Sequence, residues 1–267
     1  MKRLKKQLNK TPRKKSRGSG TYIAQSYRTH GIVLRTYKLA EADRIIVVLS
    51  ADHGQIRAVA KGVRRTTSKF GSTLEPFMHT RLQLVPRRGM DVIAQTETIH
   101  SYGMMLANDY DTFGAASAMV ETAEQLTRDD DAADGATQYR LLHGAIAALA
   151  RRAAAPMMLL TSYLLRALTV AGWAPRFSEC SRCGIDGTHN WLSVPMGGVV
   201  CNDCAPPQTT YVTDGVVTLL EALLAGDWPK VDQAQSGHTR QATSFVAEYL
   251  QYHLEKNLQS LSVMDQG

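Results

Sequence analysis

Four cysteines are the whole complement of this 267-residue chain, and they fall in two pairs, Cys180-Ser181-Arg182-Cys183 and Cys201-Asn202-Asp203-Cys204. Two Cys-x2-Cys knuckles at this separation have the spacing of a four-thiolate zinc site, because each knuckle turns two sulfurs toward one ion. Four thiolates fill a tetrahedral shell and leave no position for water or substrate, so the expected ion is a single structural Zn2+ held by Cys180, Cys183, Cys201 and Cys204. Two local disulfides are disfavoured in a reducing compartment, and a thioredoxin-like motif would need a strand and helix context that is absent. His189 lies between the knuckles and reads as a turn residue.

The second set of chemistry-bearing residues is cationic. The formal charge is +7, but it is a sum of unlike parts. Residues 1–20 carry nine Lys/Arg and no acid; residues 21–100 carry twelve basic and six acidic side chains; residues 101–267 carry ten and eighteen. Within the middle segment, Lys61, Arg64, Arg65 and Lys69 share one short stretch with Phe70, and Arg87 and Arg88 share a turn. Such clusters neutralise phosphates, and an aromatic among them can stack a base. The candidate nucleic-acid contacts are therefore Lys61, Arg64, Arg65 and Lys69, supported by Arg35, Arg44, Arg87 and Arg88, with Phe70 as the stacking ring. Phe77 beside Pro76 reads as core, and Tyr22, Tyr27 and Tyr37 as packing residues. Glu41 and Asp43 read as turn caps or ion-pair partners of Arg44, and the eight histidines as scattered surface or satisfied core residues.

The elements that must position these groups follow from periodicity. Gly31–Arg35, Arg44–Leu49, Gln55–Ala60, Met78–Val85 and Asp91–Ile99 are short, rich in β-branched residues and bounded by turn chemistry such as Asp52-His53-Gly54 and Pro86-Arg87-Arg88-Gly89, which predicts a small antiparallel barrel. After Tyr102 the apolar spacing becomes three and four, predicting helices over Ala115–Leu126, Gln138–Ala150, Pro156–Ala171, Thr213–Leu224 and Thr239–Asn257. Trp191–Val194 and Gly198–Val200 predict a hairpin that brings the knuckles together. The fold class is α+β: an OB-fold barrel over 21–100, a helical domain over 101–267 with the zinc module inserted at about 174–210, and a disordered basic tail over 1–20.

Several functions fall away. No segment offers the roughly 20 uninterrupted apolar residues of a membrane span, and no secretory signal precedes the first strand, so the chain is expected in the cytoplasm with no membrane partner. There is no Gly-rich phosphate loop, no His-Glu-x-x-His and no Gly-x-Ser-x-Gly, so no enzyme is expected.

The segments Gly31-Ile32-Val33-Leu34-Arg35, Glu41-Ala42-Asp43-Arg44-Ile45, Ala58-Val59-Ala60-Lys61-Gly62-Val63-Arg64-Arg65 and Leu74-Glu75-Pro76-Phe77, followed by Gly172-Trp173-Ala174-Pro175 and the knuckles, closely resemble the RecO family of bacterial recombination mediators across residues 22–260. The resemblance implies binding to single- and double-stranded DNA, annealing of complementary strands, partnership with RecR, engagement of the single-stranded DNA-binding protein, and indirect service to RecA in the RecFOR pathway of DNA repair. The residues alone leave two alternatives open: a protein-interaction adaptor without annealing activity, and a zinc-bearing RNA-binding factor.

Overall fold

The structure, a computed structural model, describes residues 25–128, 134–207 and 209–254; the basic segment 1–20 and Tyr22 lie outside the described residues. Five strands come first: β1 (Tyr27–Leu39), β2 (Asp43–Ser50), β3 (Gly54–Ala60), β4 (Met78–Val85) and β5 (Asp91–Ser101). They close into a barrel in the order β1-β2-β3-β5-β4, antiparallel except at β3–β5, where Ala58 pairs with Asp91 and Val59 with Val92. Val33, Ile46, Val48, Ile56, Leu82 and Ile93 point into the barrel.

Strand-to-helix conversion falls at Ser101/Tyr102. α1 (Tyr102–Leu106), α2 (Tyr110–Leu126), α3 (Gly135–Ala150) and α4 (Pro156–Val170) follow. Then come the short strands β6 (Trp191–Ser193), β7 (Gly198–Val200) and β8 (Thr210–Tyr211), and α5 (Asp214–Ala225), α6 (Trp228–Val231) and α7 (Ser236–Leu254). Helix starts have their local causes. Asp109 caps α2 by accepting from Thr112 N at 2.9 Å, Asp134 caps α3 from Thr137 N at 3.2 Å, and Pro156 occupies the first turn of α4, where its missing N–H costs nothing.

The barrel is not a free-standing unit. Ile32, Leu34, Val47 and Leu49, one residue out of phase with the barrel-filling Val33, Ile46 and Val48, are buried in the same core as α2, α3 and α4. A strand pair covered on both faces needs apolar side chains at successive positions, and this is why β1 and β2 carry near-continuous runs rather than alternation. Phe177, Leu192 and Val199 of the cysteine segment belong to that core too, so one apolar cluster runs from barrel to knuckles.

Candidate functional site

The cysteine segment is built as the spacing requires. β6 and β7 pair antiparallel, Trp191 opposite Val200 and Ser193 opposite Gly198. The first knuckle turns through Gly184 N donating to Cys180 O at 2.8 Å, and it is tied to β7 by Ser181 N donating to Val199 O at 2.8 Å. Trp191 Nε1 donates to Asn202 Oδ1 at 2.8 Å and fixes the second knuckle to the hairpin. Gly198 is required: at φ 143° it lies so close to the Arg176 backbone that any Cβ would collide with it.

The four sulfurs lie within 4.8 Å of one another, and Cys183 and Cys201 are 3.9 Å apart. A tetrahedral ion with metal–sulfur bonds of ~2.3 Å places its sulfurs about 3.8 Å apart, so the donor set fits a thiolate-bound metal. Burial opposes ionisation of Cys180, yet N–H groups of Cys183, Cys201 and Arg182 directed at its sulfur lower its pKa to about 6. Cys204 is pushed up to about 12, chiefly by its hydrogen bond with Cys201. A bound cation would take the place of the thiol protons. His189 Nε2 lies 2.9 Å from Ile185 O, a turn contact outside the sulfur cluster.

The basic stretch is the crossing from β3 to β4. Gly62, at φ 67°, donates its N–H to Asp43 Oδ1 at 2.7 Å, Arg64 N donates to Ala42 O at 3.0 Å, and Arg64 Nη1 donates to Glu41 O at 2.8 Å. Asp43 is thus the cap that pins the start of this loop. The parallel β3–β5 register strings the two basic segments along one seam: the Arg87-Arg88 turn precedes Asp91, which pairs with Ala58, and the 61–69 loop lies beyond Ala60, with Lys69 Nζ donating to Ala94 O at 2.7 Å. Lys61, Arg65, Arg87 and Arg88 are exposed with no ion-pair partner among the described residues.

One expected contact needs correction, and two others have ion-pair partners. Phe70 is 2% exposed and fills the barrel with Leu74 and Met78, because the free energy of hiding a phenyl ring outweighs the polar flanks of Lys69 and Gly71. It cannot stack a base. Arg35 turns toward the helices, where its Nε lies 2.7 Å from Glu124 Oε2 and Nη2 lies 3.8 Å from Glu121 Oε1. Arg44 is held at 2.7 Å by Glu75. Phe77 is buried as expected, Tyr27 donates to Asp91 at 2.5 Å, and Tyr37, whose hydroxyl donates to Glu124 Oε1 at 2.9 Å, is half-exposed.

Four of the eight histidines are not scattered. His30 of β1, His79 of β4, His100 of β5 and His143 of α3 meet between barrel and helices with Tyr102 and Tyr139; the His79 and His143 ring centroids are 4.5 Å apart, His79 and His100 5.6 Å, His30 and His79 5.8 Å. His79 Nε2 lies 3.0 Å from Tyr139 Oη, and its Nδ1 is buried without a partner among the described residues. Burial lowers the His79 pKa to about 4, and the neighbouring His143, His30 and His100 add to the shift. Burial lowers His143 in the same sense. Glu124, 2% exposed and bound by Arg35 and Tyr37, is a second group that residue spacing could not single out.

A closed five-stranded barrel bearing exposed cations without ion pairs among the described residues, joined through one core to a helical body with a four-cysteine cluster able to hold a metal, defines a protein with an OB-like barrel. The family model for the recombination protein O N-terminal region matches residues 24–102, and that for its C-terminal region matches residues 107–262. Relatives named DNA repair protein RecO include one from Streptomyces griseus, 45% identical over 245 residues (90% of this chain and 98% of the relative), and one from Nocardioides sp., 46% identical over 242 residues (90% and 99%). A third, from Cutibacterium acnes, is 43% identical over 244 residues (90% and 99%). The chain belongs to the RecO family of DNA repair proteins. No described helix is long and apolar enough to cross a membrane.

Proposed function

We propose that the chain binds single- and double-stranded DNA through its barrel, anneals complementary strands and, with RecR, helps load RecA onto DNA covered by the single-stranded DNA-binding protein. The observation that carries this reading is the division of the barrel's cations. Arg35 and Arg44 are paired with Glu124 and Glu75, while Lys61, Arg65, Arg87 and Arg88 are exposed along one seam with no ion-pair partner among the described residues, beside Arg64, which donates to Glu41 O, and Lys69, whose Nζ donates to Ala94 O and lies 5.1 Å from the Phe70 ring centroid. Annealing needs no bond chemistry. A surface that holds two backbones lowers their mutual repulsion while leaving base edges free to pair.

In this reading Lys61, Arg64, Arg65 and Lys69 are the principal phosphate contacts, with Arg87 and Arg88 in support. The ion at Cys180, Cys183, Cys201 and Cys204 is zinc and is structural, since a shell of four thiolates is closed. Partner engagement belongs to the helical half. A groove of about 730 Å³ between α3, α4, α5 and α6 is walled by Leu141, Ala145, Leu159 and Trp228 and flanked by Arg140 and Arg166, which suits an acidic peptide with an apolar end.

The test is the salt dependence of binding. Each phosphate contact contributes roughly 0.7 to 0.9 to the slope of log K against log salt. Arg64→Ala with Arg65→Ala should therefore flatten the slope by about one to two and weaken all sequences alike. An unchanged slope would remove these residues from the interface. An adaptor would not accelerate annealing of complementary DNA oligonucleotides, and an RNA-binding factor would prefer RNA.

A further inference from the structure

With Phe70 inside the barrel, no exposed ring lies on the cationic seam itself among the described residues. The exposed large apolar side chains supply one close by. Met104, Met105, Tyr110 and Phe113 are 77%, 53%, 67% and 45% exposed, and all four lie within ten residues of chain where α1 turns into α2. This corner is continuous with the basic loop. Arg64 N is bonded to Ala42 O, Arg44 next along is paired with Glu75, and the following Pro76 carbonyl lies 3.3 Å from where a Cβ on Gly103 would sit. Phe77, the last residue of the loop, packs edge-on against Phe113 with ring centroids 5.5 Å apart. The β5 register gives the direction: the Arg87-Arg88 turn precedes Asp91, Lys69 is bonded at Ala94, and Met78 pairs with Ser101 just before α1. Cations and rings therefore follow one line from the β4–β5 turn to the helical corner, about 30 Å at 3.3 Å per strand residue.

Charge at the corner agrees. Arg151 and Arg152, at the end of α3, are exposed without an ion pair among the described residues; Arg151 acts electrostatically on Tyr102 and Arg152 on Asp109, the residue before Tyr110. Asp109 is engaged as the α2 cap, accepting from Thr112 N and Thr112 Oγ1. Asp111 is the exposed acid between the two rings in sequence, one carboxylate against two guanidinium groups.

We propose that this corner is a stacking platform for unpaired bases: single-stranded DNA leaving the basic loop lays bases on Tyr110 and Phe113, against Met104 and Met105, while Arg151 and Arg152 take the phosphates. The proposal rests on the DNA-binding reading above and adds a distinction that phosphate contacts cannot make. Rings select unpaired bases, because the bases of a duplex are already stacked on one another.

The test compares a labelled oligodeoxythymidylate with a duplex of equal length, using the full chain. A stacked base contributes ~1–3 kcal/mol, which is about five- to hundredfold in affinity. Tyr110→Ala should weaken single-strand binding by a factor in that range, leave duplex binding and the salt slope unchanged, and be rescued by Tyr110→Trp. Phe113→Ala should act likewise, but because Phe113 also touches Phe77, the decisive variant is the more exposed Tyr110. If wild type binds both ligands and Tyr110→Ala does so equally well, the platform is overturned while the barrel interface stands; retained DNA binding with loss of a protein partner would assign the corner to protein docking instead. Equal loss on both ligands also overturns it. If wild type binds neither, the barrel reading fails, and the platform with it.

Discussion

The histidine cluster makes folding of this protein sensitive to mild acid, in an amount that can be worked from its burial. His79 titrates near 4 in the folded chain and near 6.5 when unfolded. A depressed histidine pKa means that the unfolded state binds the proton first. The contribution to stability is complete above about pH 6.5, shrinks as pH falls and is gone below about 4. For one group with these two values the loss at pH 5 relative to pH 7.5 is about 2 kcal/mol, rising to about 3 kcal/mol at the acid limit. His143 is shifted in the same direction and adds to it. The charged groups facing the cluster do little to offset the cost: Arg151 opposes a charge on His143, and Asp52 acts on Tyr139 rather than on His79.

His79→Phe keeps an aromatic ring in the site and removes the proton site. At pH 7.5 the variant should be less stable by roughly 1–3 kcal/mol, since Tyr139 loses the partner at 3.0 Å. Its stability should then change less between pH 7.5 and 5 than that of wild type, by about 2 kcal/mol. Urea denaturation at pH 7.5, 6 and 5, followed by far-ultraviolet circular dichroism, measures both quantities. Parallel stability curves for wild type and variant would refute the assignment of the acid sensitivity to His79.

Two further outcomes are expected. Chelation, or Cys180→Ser, should lower the melting temperature, because Phe177, Leu192 and Val199 tie the knuckles into the main core; loss of DNA binding at unchanged melting temperature would instead give the metal a functional role. Glu124→Gln should destabilise the fold by about 1–3 kcal/mol, less than a fully buried pair because Arg35 is partly exposed, and should leave DNA affinity near wild type when measured well below the melting temperature.

Much of this architecture is legible in the sequence. The strand runs and the three-and-four helical spacing locate the barrel strands β1 to β5 and the longer helices α2, α3, α4, α5 and α7, because both patterns record which face is buried. The short α1 and α6 are too brief to show a period. The cysteine pairs are the most readable feature, since knuckle spacing is a local constraint. Long-range pairing is not. Lys69-Phe70-Gly71 has the composition of an exposed loop, and only closure of the barrel over β3 and β5 draws Phe70 inside. His30, His79, His100 and His143 come from four different elements, so nothing short of the fold makes them neighbours.

The same limit governs the charge. Net charge by segment separates a basic barrel from an acidic helical half, but it cannot say which cations are free. The fold decides this by geometry. α2 lies against β1, and at that contact Glu121 and Glu124 take up Arg35 on the barrel wall facing the helices. Part of the helical half's negative charge is consequently internal, and part of the barrel's positive charge holds the two halves together. The exposed cations of the β3–β5 seam and its loop, Lys61, Arg65, Arg87 and Arg88, lie outside that contact and are open to an anionic ligand. The barrel is therefore polarised at that contact: its face toward α2 is packed and the charge of Arg35 there is neutralised. A rigid attachment through one continuous core fixes the direction of that polarity relative to the helical groove, so a strand held on the seam and a peptide held between α3 and α6 would be presented in a constant relation to each other.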